Sequence, residues 1–118
     1  SMSMDLARQD FSTKEKYFIA GTTIPITTAV KQAGEALEAH TPVLLADGKV
    51  TAVADPGSAE KPAVTEGLYG ITADSAGNGE DAVIYLTGEF FADELVLPQN
   101  VTAAALEVPL RNIGIFLK

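Results

Sequence analysis

The sequence predicts a mainly β domain, a sandwich or barrel with short helical segments, with a small α+β fold as the alternative. Three observations lead there. Asp47-Gly48 lies between two apolar runs, 43–46 and 49–54, and two residues that tolerate positive φ in that position are the strongest short hairpin signal. A second pair of β-like runs, 67–73 and 82–87, flanks the flexible Ser75-Ala-Gly-Asn-Gly79 turn. Between the two pairs, residues 55–66 (DPGSAEKPAVTE) place two prolines and a glycine among charges, which makes a surface loop.

Along the chain, residues 1–22 read as a polar N-terminal arm and residues 23–118 as one β-rich domain. Ser1-Met-Ser-Met4 has the look of a cloning remnant before a native start at Met2 or Met4, and is set aside. Residues 24–30 are β-like, and Pro25 near their start suits an edge strand. Residues 31–40 contain helix formers, but Gly34 costs about 1 kcal/mol in a helix interior and only Leu37 is strongly apolar. A turn in which Leu37 plugs the core is therefore expected. In residues 83–87 (VIYLT) both faces are apolar, as in a strand buried on both sides. Residues 93–95 form one helical turn ended by Pro98. Residues 101–107 are helix-prone, with Asn100 or Thr102 as the cap. Alternation of Ile113, Ile115 and Leu117 with Asn112, Gly114 and Phe116 gives a final strand.

Composition narrows the function. A chain of 118 residues makes one domain and buries roughly two-thirds of its unfolded surface. With five Phe, three Tyr and no Trp, the core must be built from Val, Ile, Leu and Ala, and oligomerisation would be a natural supplement. The absence of cysteine excludes disulfides, thiolate metal sites and a Cys nucleophile. No apolar run approaches the ~20 residues of a membrane helix, so no membrane partner is expected. The net charge is −8, and between residues 32 and 109 there are thirteen acids and two bases. Such a body argues against nucleic acid, whose phosphates are met by Lys and Arg that displace counterions. Acidity also keeps like-charged particles apart and soluble.

Each candidate site has a plainer explanation. Asp93 and Glu94 are adjacent on a helical turn, so they diverge by about 100° and do not converge on one atom; they suit the helix dipole instead. His40 is the only histidine and has neither a nucleophile motif nor a second metal ligand nearby in sequence. Asp74, Asn78, Glu80 and Asp81 cluster oxygens, but without the order of a calcium loop, and read as a solvated hairpin tip. No enzyme, cofactor or metal is therefore expected. The arm is different. Phe11, Tyr17, Phe18 and Ile19 are set among Lys14, Glu15 and Lys16, and exposed aromatics outside a core suggest a strand that docks on a sheet edge. The other reading is that they pack on their own domain.

Three stretches, in this order and spacing, resemble the lambda-type bacteriophage head decoration protein (protein D) family: residues 34–44 (GEALEAHTPVL), 67–74 (GLYGITAD), and 82–90 (AVIYLTGEF) followed by 95–98 (LVLP). The resemblance covers about residues 30–118. It implies a β-rich homotrimer on the local three-fold positions of an expanded icosahedral head. There, outside the capsid, it would clamp subunits of the major capsid protein against internal DNA pressure, after assembly from the host cytoplasm. It also implies that the arm faces the capsid and becomes ordered by strand addition, which makes Phe11, Lys14, Lys16, Tyr17, Phe18 and Ile19 the capsid-binding candidates. The chain departs from the family at His40, where glycine is common, and in an arm richer in aromatics. The resemblance implies a β-sandwich or barrel of β-clip type, and a trimeric ligand-binding β domain of that type, or another virion part such as a head or tail fibre component, is the alternative.

Overall fold

A computed structural model describes residues 18–118. The strands are β1 (Ile19–Gly21), β2 (Thr27–Ala33), β3 (Pro42–Ala46), β4 (Lys49–Ala52), β5 (Leu68–Thr72), β6 (Asp81–Phe90) and β7 (Ile115–Leu117), with a 3₁₀ turn at Ala92–Glu94 and a helix, α1, at Ala103–Asn112. The protein is thus mainly β with short helical segments, and five of its strands close a barrel.

The barrel begins with the Asp47-Gly48 hairpin. Asp47 has φ 53° and Gly48 φ 78°, the pair of positive values whose twist matches that of the flanking strands. β3 and β4 then pair antiparallel from Val43↔Ala52 to Ala46↔Lys49. β3 continues antiparallel onto β5, and β5 onto β6 through Ile71↔Tyr85 and Thr72↔Ile84. β6 pairs antiparallel with β2 from Thr27↔Thr87 to Gln32↔Asp81, and β2 closes the ring on β4 with two parallel pairs, Gln32↔Lys49 and Ala33↔Val50. The second hairpin expected from sequence exists, yet its two strands share only two register pairs. Each spends most of its length on another partner.

β6 is the spine. Past Gly88 it leaves the barrel and carries β1 and β7, β1 antiparallel through Ile19↔Phe90 and β7 parallel from Gly88↔Ile115 to Phe90↔Leu117. Its side chains feed two cores, as a strand apolar on both faces must. Ala82 and Ile84 join Ala33, Leu37, Val43, Val50 and Ala76 in one. Tyr85 and Phe90 join Phe18, Val53, Ile71, Val101, Leu106, Leu110 and Ile115 in the other. The expectation of burial on both sides holds at Ile84 and Tyr85, but Val83 is 39% exposed among the described residues.

The turn expected over residues 31–40 is confined to residues 34–41, because residues 31–33 continue β2 beyond the strand expected at 24–30. Leu37 is 5% exposed and exchanges both backbone hydrogen bonds with Ala76, at 2.8 and 2.9 Å, so the plug is tied to the tip between β5 and β6. Behind it sits Thr72, which has no exposed surface. Its hydroxyl donates to the Glu38 carbonyl at 2.7 Å and accepts the Thr41 N–H at 2.9 Å. Replacing Thr72 by the near-isosteric Val strands a buried N–H, and we expect a loss of about 1–3 kcal/mol in denaturant unfolding. An unchanged midpoint would show that the network adds no stability.

α1 runs longer than its sequence signal. Thr102 caps it by accepting the Ala105 N–H at 3.2 Å, one of the two caps expected. The helix continues past residue 107, where the helix-prone stretch ends, and through Pro109, whose ring removes one backbone hydrogen bond. Leu106 and Leu110, four residues apart on one face and both fully buried, hold the next turn onto the core, and this burial offsets the missing bond.

Candidate functional site

Of the six arm residues singled out in the sequence, Phe11, Lys14, Lys16 and Tyr17 lie outside the described residues. The other two are placed clearly, and one corrects the expectation. Phe18 is not an exposed docking aromatic; its exposure is 0%. Its ring stacks on His40 at 3.9 Å and 5° and on Phe90 at 4.7 Å and 17°, with Tyr85 at 6.1 Å. Its carbonyl accepts the Phe91 N–H at 3.0 Å. Ile19 is half-buried, packs against the same core and pairs with Phe90. Charged neighbours in sequence made this segment look peripheral. Pairing with β6, some seventy residues away in sequence, pulls it in. The boundary between arm and domain therefore does not fall cleanly after residue 22, since residues 18–21 contribute a core side chain and a strand.

His40 belongs to this junction as well. It is 4% exposed and adopts φ 70°, a left-handed conformation that glycine reaches at least cost. Its backbone holds the surroundings together: its N–H donates to Thr72 O at 2.8 Å, and its carbonyl accepts the Val96 N–H at 2.9 Å. The imidazole serves as one wall of the Phe18 pocket.

The residue that sequence reasoning passed over is Glu89. It is 7% exposed, at the point where β1, β6 and β7 meet. One carboxylate oxygen accepts the Ile24 N–H at 2.9 Å, fixing the segment that links β1 to β2. The other lies 3.6 Å from Lys118 Nζ, just past β7. Lys118 is half-exposed, so that ion pair is weak on its own; the charge-assisted bond to the Ile24 amide is the firmer tie. A signal was available, because Glu89 is the only charged residue between Asp81 and Asp93. A single carboxylate in so long an apolar run has to find a partner.

The remaining candidates do not assemble into a reaction centre. Asp93 and Glu94 are exposed on the 3₁₀ turn, whose consecutive side chains diverge by about a third of a turn. At the β5–β6 tip, Asp74 accepts the Ser75 N–H at 2.9 Å and Glu80 the Gly77 N–H at 2.6 Å, so both brace the turn itself. Among the described residues no three His, Asp or Glu side chains are grouped to hold a metal, and no helix is long and apolar enough to cross a membrane. Shallow grooves lie among the described residues. One of about 390 Å³ lies between residues 59–63 and the start of α1, and one of about 210 Å³ lies between Leu37, Ala52 and Leu97.

One titration is set by local geometry. Asp55 is held below the usual carboxylate range, first by the Asn100 side-chain amide at 3.0 Å and then by the Gly57 N–H at 2.8 Å, against a smaller desolvation effect. Its native-state pKa is lower than its unfolded one. Its contribution is therefore present above the ordinary value of about 3.9 and is lost as pH falls through the native one. The group is exposed, so that contribution is small. We expect Asn100→Ala to move the Asp55 carboxyl titration, followed by NMR, back up toward the ordinary value. A curve that does not move would mean that Asn100 does not set it.

Comparison with known proteins returns no match, neither from the models of protein families nor from curated protein sequences.

Proposed function

We propose that the chain is a structural, non-enzymatic virion protein, a homotrimer that decorates the outer surface of an expanded bacteriophage head and stabilises it by binding the major capsid protein. The observation that carries this reading is the ordered resemblance of residues 34–44, 67–74 and 82–98 to the lambda-type head decoration family. Support comes from how those stretches lie in the fold: the first runs into β3, the second contains β5, the third holds all of β6 but its first residue, and β3–β5–β6 are neighbours in the barrel. They form one contiguous block rather than scattered matches.

On this reading the protein needs no chemistry. A ligand that binds only the expanded lattice stabilises it by mass action, and three arms on one trimer gain avidity through effective concentration. The burial of Phe18 moves the capsid-facing part of the arm upstream, to residues 1–17, with β1 as its anchor. The test is co-sedimentation with expanded and unexpanded heads of the cognate phage, beside light scattering. Expected are a trimer and saturable binding to expanded heads only. A chain that starts at Tyr17 should keep its fold while losing most head affinity. A monomer at every concentration, or equal binding to both kinds of head, would overturn the proposal. Full affinity in the shortened chain would overturn the arm's part in it.

A further inference from the structure

The tip between β5 and β6, residues 75–79, takes no part in the proposed function and carries an Asn78-Gly79 pair. From this turn we infer that Asn78 is a masked deamidation site, held unreactive by the closed turn and committed irreversibly once the turn opens. The chemistry is intrinsic to the pair. The Gly79 backbone nitrogen, after losing its proton, attacks the Asn78 side-chain Cγ. A C–N bond forms, ammonia leaves, and a five-membered succinimide results. Water then opens either imide carbonyl, giving aspartate or, with the main chain rerouted through the side chain, isoaspartate. Water is the only co-reactant, and nothing is oxidised or reduced.

Two features favour the reaction. Asn78 is exposed, and around Gly79 the space is open, with no heavy atom within 4 Å of where a Cβ would stand. Other contacts oppose it. The attacking nitrogen is engaged, because the Gly79 N–H donates to Ala33 O at 2.9 Å at the end of β2. The Gly79 carbonyl is held as well, accepting from Gln32 Nε2 at 3.2 Å. On the other side the turn is braced by Glu80, whose carboxylate takes the Gly77 N–H at 2.6 Å and whose own N–H donates to Gly77 O at 3.0 Å. A nitrogen bonded this way can neither lose its proton readily nor swing onto Cγ. Opening of the turn must come first, and local openings of such tips are the low-energy end of a protein's motions.

Closure cannot undo the change. Isoaspartate adds a carbon to the main chain just before Gly79, so the amide no longer meets Ala33 O. The neighbouring bond from Ala33 N–H to Glu80 O, at 2.8 Å, sits on the same strand end. A new negative charge also appears beside Glu80 and Asp81 in a chain that already carries −8. The closing pairs of β2 with β6, and the Leu37–Ala76 plug next to them, are the contacts that loosen.

The test is peptide mapping by mass spectrometry, with enzymatic labelling of isoaspartate, on the full chain kept at mildly alkaline pH. In its native state the wild type should convert at Asn78 about tenfold or more slowly than in denaturant, by the fraction of time the turn is open. Gln32→Ala and Glu80→Ala, each removing one brace, should accelerate native conversion at Asn78 and at no other asparagine. Sub-denaturing urea should do the same to the wild type without any substitution. Native conversion as fast as in denaturant would overturn the mask. So would a native rate that neither variant nor urea raises. Absence of conversion at Asn78 in denaturant would overturn the site itself.

Discussion

Phe18→Ala is expected to cost about 3–5 kcal/mol in equilibrium denaturation, the range for emptying an aromatic site in a packed core. The side chain has no exposed surface and stacks on two rings, His40 and Phe90. Stacked pairs add about 0.5–1.5 kcal/mol each beyond the area they bury. For a domain whose whole stability is of order 5–15 kcal/mol, that is a large share. Two companions bracket the result. Phe18→Leu should lose distinctly less, since most of the volume remains. Ile19→Ala should also lose less, since that side chain is half-buried. A loss below about 1 kcal/mol for Phe18→Ala would show that the aromatic cluster is not cooperative with the rest of the fold. The same reasoning decides where an N-terminal truncation can be cut. A deletion through residue 20 removes a core aromatic and two of the three residues of β1, so its effect on any binding would be confounded with unfolding.

The second large effect is expected at Gly70, where β5 crosses β6. A Cβ at this position would fall against the Tyr85 carbonyl oxygen, and 2.7 Å from Ile84 Cγ2. Overpacking usually costs about 1–3 kcal/mol because side chains move aside. A backbone oxygen in the spine of the barrel has no such freedom, so Gly70→Ala should reach the top of that range or pass it. The diagnostic experiment is the pair Gly70→Ala and Gly70→Ala/Ile84→Ala. If the backbone contact dominates, trimming Ile84 gives no rescue and adds its own cavity. Recovery in the double variant would mean that the side-chain contact was the obstacle and that β5 and β6 can separate slightly at little cost.

The parts of this fold that were legible in the sequence share one physical property, short range. Asp47-Gly48 announces a hairpin because its two φ values are a local demand. Thr102 announces a helix start because a hydroxyl reaches the amide of Ala105, three residues on. Leu37 announces a plug because it is the single strongly apolar residue in a stretch too glycine-broken for a helix. The full length of α1 was not legible, because Pro109 speaks against helix locally and only the burial of Leu110 speaks for it.

What the sequence by itself determined is therefore the class: a small, acidic, cysteine-free β domain with hairpins, one loop and one helix in the right places. Tertiary structure alone decided how those pieces close and what belongs to the core. Residue pairs sixty to about seventy apart in sequence, Thr27 with Thr87 and Ile19 with Phe90, draw β2 and β1 onto β6. They turn Phe18 from an apparent surface aromatic into the centre of a stack, and Glu89 from a stray charge into the tie between both ends of the described chain. Local pattern reports the preferences of a few neighbouring residues. A buried ring and a buried carboxylate are chosen by partners that the chain meets only after it has folded back on itself.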